Sequence, residues 1–175
     1  VERGRFARHF LAIARRDERT VLPAVHRFVG GGDGELFARL TDATADAGNG
    51  LPVVEDRRAA SAGLSVGAHL DTVDLDAATR LASLVPADVG SGAEHLVVWV
   101  TDENGFTVRT RPSSWTAVFG YYTASLRTPE LIPGQVRLLR SLLYGREASV
   151  SRVILASDTD GTYIPVATPK PSPSP

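Results

Sequence analysis

Residues 67–75 read GAHLDTVDL, in which His69 stands two positions before Asp71. The acid pair Asp102–Glu103 follows in the sequence WVTDENGF at positions 99–106. Imidazole nitrogens and carboxylate oxygens bind zinc, and a zinc ion lowers the pKa of its bound water so that the water can attack a substrate. These residue types raise the hypothesis of a metal-dependent hydrolase.

The stretch GAHLDTVD resembles the His-x-Asp-Thr-Val motif of the dinuclear zinc hydrolases that include aminoacylases and succinyl-diaminopimelate desuccinylases. The resemblance implies that His69 is a zinc ligand and that Asp71 orients its imidazole ring through a hydrogen bond. It also implies that Glu103 is the general base or a carboxylate ligand. A hydrolase fragment using this His-x-Asp motif is therefore one interpretation of the chain.

The other features of that family do not occur in the sequence. The stretch ADVGSGAEH does not match the Gly-rich loop with its bridging Asp, Asn104 follows the acid pair, and no His occurs after His95. The competing interpretation is that His69 lies in a surface loop and that Asp71 and Asp74 prepare the start of a helix, with Asp74 as its cap. In this interpretation the chain has no catalytic residue, no metal and no cofactor.

Composition restricts the function further. The sequence has no Cys, which excludes disulfides, thiolate metal sites and cysteine nucleophiles. Its formal net charge is -1, so it lacks the strongly basic character of nucleic-acid-binding proteins. The turns GGGDG and DTDG lack the residues that complete a phosphate loop or a calcium loop. No apolar run reaches the ~20 residues of a membrane span, so we expect any anchor to lie upstream of Val1.

The elements of the first half are read from periodicity and turn residues. The first twenty residues fit a helix or a strand. RTVLPAVHRFV and ELFARLTDA predict two strands joined as a hairpin by GGGDG, and GLPVV predicts a further short strand. LDAATRLASLVPAD predicts a helix that ends at Pro86.

In the second half of the sequence, apolar residues recur at every second position, as in a strand. HLVVWV, FTVRT and WTAVFG predict three strands, the first two joined by a DENG turn. LIPGQVRLLRSLLYGRE predicts a helix with Gly145 in a left-handed C-terminal cap. VSRVILAS and TYIPV predict a final hairpin. The expected fold is α+β, with a mainly antiparallel sheet, two helices packed on one side, a terminal edge strand and a disordered Pro/Ser tail at 169–175.

The order of these signals resembles the extracytoplasmic β domain of the FtsQ/DivIB family of bacterial cell-division proteins. The motifs that carry the resemblance are short, and they occur in the family's order: DERTVLPAVHRF, LTDATAD, GLPVVEDRR, DLDAATRLASL, WTAVFG, QVRLLRSLL, VSRVILAS and TYIPV. The sequence departs from the family pattern by two extra residues between Arg19 and Pro23 and by Ala45 in place of a turn Gly. The resemblance assigns residues 17–168 to the β domain and residues 1–16 to the possible last strand of an upstream POTRA domain.

The resemblance implies a scaffold rather than an enzyme. Members of the family are held by a single-pass anchor at the extracytoplasmic face of the cell membrane, at the division site. Their β domain binds FtsB/DivIC-type and FtsL-type divisome proteins during septum formation, by adding a partner strand to its last strand. No nucleic acid takes part, and the membrane is contacted only through the upstream anchor.

A terminal edge strand is a physically reasonable docking site, because its unpaired N–H and C=O groups can accept another strand. Pro165 also fits an edge, since it has no N–H to donate to a central ladder. By match to the family's terminal strands, the partner contacts are expected on Tyr163, Ile164 and Val166. Further contacts are expected on Val153, Leu155 and Ser157. The alternative is that these six residues only close the core.

Overall fold

The computed structural model describes residues 11–16, 25–30, 36–40, 53–63 and 68–167. Side chains are described within residues 54–61 and 68–167. The predicted GGGDG turn beyond Gly30 and the predicted tail at 169–175 lie outside the described residues. The boundary predicted at residue 17 also falls at an undescribed position and stays a prediction.

Nine strands and two α-helices make up the described fold. The strands are β1 Leu11–Arg16, β2 Val25–Gly30, β3 Leu36–Leu40, β4 Val53–Asp56, β5 His95–Thr101, β6 Gly105–Arg111, β7 Thr116–Gly120, β8 Val150–Leu155 and β9 Gly161–Pro165. The helices are α1 Thr72–Ala82 and α2 Ile132–Leu143. The segment 11–16, which fitted either a helix or a strand, is a strand.

All nine strands lie in one sheet, in the order β3-β2-β1-β4-β5-β6-β7-β8-β9. The fold is α+β as expected, but the sheet is mixed rather than mainly antiparallel. Strands β1 and β4, β4 and β5, and β7 and β8 pair in parallel. The predicted hairpins β2–β3, β5–β6 and β8–β9 are antiparallel.

Two of the three parallel pairs, β4–β5 and β7–β8, have a common cause in the connections between their strands. Helix α1 lies between β4 and β5 in the chain, and helix α2 lies between β7 and β8. A helical connection carries the chain back along the sheet, so the next strand runs in the same direction as the previous one. Treating the helices as additions to an antiparallel sheet was therefore wrong for these pairs.

Helix α1 starts three residues earlier than the sequence predicted. The cap is Asp71 rather than Asp74: the Asp71 carboxylate accepts hydrogen bonds from the Val73 and Asp74 backbone N–H groups, at 2.9 and 3.2 Å. The Asp74 carboxylate instead accepts from the Arg58 guanidinium, which also bonds Asp56 at the end of β4. Burial disfavours the charged guanidinium, but these two carboxylates outweigh that cost and raise the pKa of Arg58.

Helix α2 ends as predicted, with Gly145 in the left-handed region at φ 68°. Near its start, the buried Gln135 side chain accepts a hydrogen bond from the Tyr122 hydroxyl at 2.6 Å. Its amide nitrogen lies 3.3 Å from the Leu155 carbonyl oxygen. These bonds join α2 to the loop after β7 and to the end of β8.

One hydrophobic core lies between the helices and one face of the sheet. It contains Leu81 of α1 and Leu139 and Leu143 of α2. The sheet contributes side chains from alternate positions of neighbouring strands: Val98, Val100, Phe106, Val108, Ala117, Phe119, Val153 and Leu155. The alternation matches the period of two that predicted these strands.

Candidate interaction surface on the terminal strand

Strand β9 lies at one end of the described sheet and has β8 as its neighbour. It is held by the antiparallel pairs Arg152–Ile164 and Ile154–Thr162. Past the strand end, the Val166 N–H donates to the Ser149 carbonyl oxygen at 2.8 Å. The Ser151 hydroxyl adds a bond to the Ile164 carbonyl oxygen at 3.0 Å. The strand is therefore fixed along one side only.

The direction of the β9 backbone groups follows from this pairing. In an antiparallel pair, alternate residues direct both N–H and C=O toward the neighbouring strand. Because the Val166 N–H faces β8, the groups of Ile164 and Thr162 also face β8. The N–H and C=O of Tyr163 then point away from the sheet, where a further strand can bond to them.

Three apolar side chains on or beside β9 are accessible. Tyr163, Ile164 and Val166 are 40%, 44% and 49% exposed. Ile164 lies on the open face of the sheet, whereas Tyr163 lies on the helix face, where the Arg146 guanidinium carbon is 5.4 Å from its ring centre. A strand added beside β9 would therefore meet apolar surface on both faces.

The other three expected contact residues have different surroundings. The side chains of Val153 and Leu155 belong to the core and are almost completely buried. The Ser157 hydroxyl accepts hydrogen bonds from the Thr159 and Asp160 N–H groups within the β8–β9 turn, at 3.1 and 2.9 Å. These residues are placed to hold β9 in position rather than to present side chains to a partner.

Sequence reasoning missed one exposed residue next to this surface. Ile154 is 38% exposed and lies on the open face, because it pairs with Thr162 and alternates with the buried Val153 and Leu155. The alternation within VSRVILAS carried this signal, since Ile154 stands between two core positions.

The residues of the metal hypothesis do not form a metal site. Asp71 caps α1, His69 precedes it as an exposed residue, and Glu103 is exposed in the turn between β5 and β6. Within residues 53–63 and 68–167, no group of three or more His, Asp or Glu side chains is arranged to hold a metal ion.

Neither of the helices described here is long and apolar enough to cross a bilayer. No protein-family model, no curated protein and no solved structure matches this chain. Its function must therefore be inferred from its own residues.

Proposed function

We propose that this chain is an extracytoplasmic interaction module of the FtsQ/DivIB type. It is a non-enzymatic scaffold in bacterial cell division and septum formation. It binds FtsB/DivIC-type and FtsL-type proteins by adding a partner strand to β9. An anchor upstream of the chain holds it at the extracytoplasmic face of the cell membrane, at the division site.

The observation that carries this proposal is the terminal position of β9 in the sheet. Its outward Tyr163 backbone groups offer hydrogen bonds to an added strand, and the exposed Ile164 and Val166 side chains offer apolar contact. Exposed strand edges are normally protected by charged residues, bulges or covering loops. Strand β9 has no charged residue from Gly161 to Pro165, so its accessible apolar side chains can contact an added strand.

A charge on the strand tests the proposal. We expect Ile164→Lys to weaken binding of the FtsB/DivIC-type protein of the same organism by at least tenfold. The lysine ammonium would lose water at the interface without gaining a partner, and even about 1.4 kcal/mol of such cost is a tenfold loss. Binding is measured by calorimetry with the purified proteins.

The matched control is Leu126→Lys, an equivalent change at a side chain that is 92% exposed in the loop between β7 and α2. This variant should bind like the unchanged protein. Both variants should keep the circular dichroism spectrum and melting temperature of the parent. Unchanged binding by a folded Ile164→Lys protein would reject β9 as the docking strand.

A further inference from the structure

The face of the sheet opposite the helices carries an open groove of about 350 Å³ that crosses β5 to β8. Both helices pack against the face that contains Val98 and Val108, so neither covers this groove. The cross-strand pairs Trp99–Thr107 and Arg109–Thr116 bring polar and aromatic side chains together on its floor and wall. None of these residues has a role in strand addition at β9.

Two guanidinium groups lie over the ring of Trp99. The Arg57 guanidinium carbon is 3.4 Å from the ring centre, and that of Arg109 is 4.1 Å from it. Such stacking restricts the motion of both cations before any ligand arrives. Less conformational entropy is then lost when an anion binds, which favours affinity.

Arg152 forms the opposite wall of the groove. One of its terminal nitrogens donates to the Asn104 side-chain oxygen at 2.5 Å. Its Nε and the indole Nε1 of Trp99 are buried and have no hydrogen-bond partner among the described residues. Buried donors are normally satisfied, and both of these can be satisfied only by an acceptor.

The positive and negative side chains around the groove do not balance. Arg57 and Arg111 both lie within ion-pair distance of Glu55, at 2.7 and 3.6 Å. Arg109 and Arg152 have no carboxylate within that distance in the part of the chain whose side chains are described. Glu103 lines the groove and is the opposing charge. Among the described side chains, the uncompensated charge around the groove is therefore positive.

We infer that this groove binds an acidic segment of a partner protein, with its carboxylates between Arg109 and Arg152. Guanidinium groups without a carboxylate partner favour a negatively charged acceptor, because charge-assisted hydrogen bonds are the stronger ones. The groove is open along the sheet, which suits side chains of a docked segment better than a small molecule that must be largely enclosed. This inference is independent of strand addition at β9.

The strand spacing limits how such a segment is arranged. Arg109 on β6 and Arg152 on β8 are separated by one intervening strand, so their backbones lie roughly 10 Å apart. An extended segment that crosses the strands spans this distance in about three residues at ~3.3 Å each. A run of consecutive acidic residues supplies carboxylates at that spacing.

The test uses the whole chain and a fluorescein-labelled hexaglutamate peptide with blocked termini, read by fluorescence anisotropy. We expect saturable binding that the double variant Arg109→Gln/Arg152→Gln weakens at least tenfold. The control is Arg137→Gln/Arg140→Gln, which removes the same charge from exposed positions on α2 and should leave the affinity unchanged. A hexaglutamine peptide should not bind.

Two further variants keep the test decisive if the double variant fails to fold. Trp99→Phe keeps an aromatic ring but removes the larger indole over which Arg57 and Arg109 stack, and it should weaken binding several-fold. Glu103→Gln removes the opposing charge and should strengthen binding. If neither variant changes the affinity, or if the α2 control loses binding equally, the groove is not the site. Stronger competition by inorganic phosphate or an oligothymidylate than by unlabelled hexaglutamate would overturn the assignment to an acidic protein segment.

Discussion

Glu147, in the short turn between α2 and β8, holds three segments of the chain together. One oxygen of its carboxylate accepts hydrogen bonds from the Trp115 indole N–H at 2.8 Å and from the Ser91 hydroxyl. The other oxygen accepts from the Gly92 N–H at 3.0 Å. Partial burial opposes ionisation, but these three donors outweigh it and hold the pKa of Glu147 below its ordinary value of 4.5.

This arrangement makes the stability of the fold sensitive to acid. Because the pKa of Glu147 is lower in the folded than in the unfolded protein, its contribution is complete above about pH 4.5 and is lost as the pH falls through the folded value. We expect Glu147→Gln to reduce the free energy of unfolding at pH 7. The difference from the parent protein should shrink as the pH is lowered to about 3.

Urea unfolding at several pH values measures this difference. Glu103→Gln removes one exposed carboxylate from a turn and controls for the change in net charge. A difference between the parent and Glu147→Gln that stays constant down to pH 3 would contradict the role assigned to the ionised carboxylate.

At the scale of the element, the alternation of backbone groups along β9 gives a second test of strand addition. The Tyr163 N–H points away from β8, whereas the Thr162 N–H points toward it. Tyr163→Pro should therefore keep β9 paired with β8 but remove a hydrogen bond to an added strand, weakening partner binding by tenfold or more. Tyr163→Val keeps the N–H and controls for loss of the aromatic ring.

The variant Thr162→Pro is the control for Tyr163→Pro, because the N–H that it removes faces β8 instead of pointing away from the sheet. It removes an N–H that bonds β8, so it should lower the melting temperature, which Tyr163→Pro should leave nearly unchanged. Hydrogen exchange of the β8 and β9 amides distinguishes the two variants. Equal loss of protection in both would show that the backbone of Tyr163 faces β8.

The helices and strands of the second half were predictable because each has a clear local period. The alternation in HLVVWV and in FTVRT marks β5 and β6, and the apolar spacing in QVRLLRSLL marks α2. The parallel pairs were not predicted, because the direction of a strand depends on whether the connection before it carries the chain back along the sheet. Local sequence also did not decide which residue caps α1. Asp71 and Asp74 are equally suitable by residue type, and only the residue at which the helix starts distinguishes them.

At the scale of the whole molecule, the two candidate surfaces are the β9 edge and the groove, and they differ in how well the sequence predicts them. TYIPV is the last strand-forming segment of the sequence, which favours an edge position, so Tyr163 and Ile164 could be named in advance. The groove could not be anticipated, because Arg57, Trp99 and Arg109 come together only through the pairing of β4, β5 and β6. No local pattern in the sequence links these three residues.

The two surfaces meet on the open face of the sheet, because Arg152 of the groove is the cross-strand neighbour of Ile164 on β9. Ile164→Lys should abolish strand addition but strengthen hexaglutamate binding, because the new ammonium lies beside Arg152 on the same face of the sheet. Trp99→Phe should weaken hexaglutamate binding and leave strand addition intact. Trp99 and Ile164 are separated by three intervening strands, so the free-energy changes of the two substitutions should add in the double variant. Calorimetry with the FtsB/DivIC-type protein and anisotropy with the peptide measure both affinities of the parent protein and of each variant. Loss of both activities in a folded Ile164→Lys protein would mean that the groove and the edge form one continuous interface.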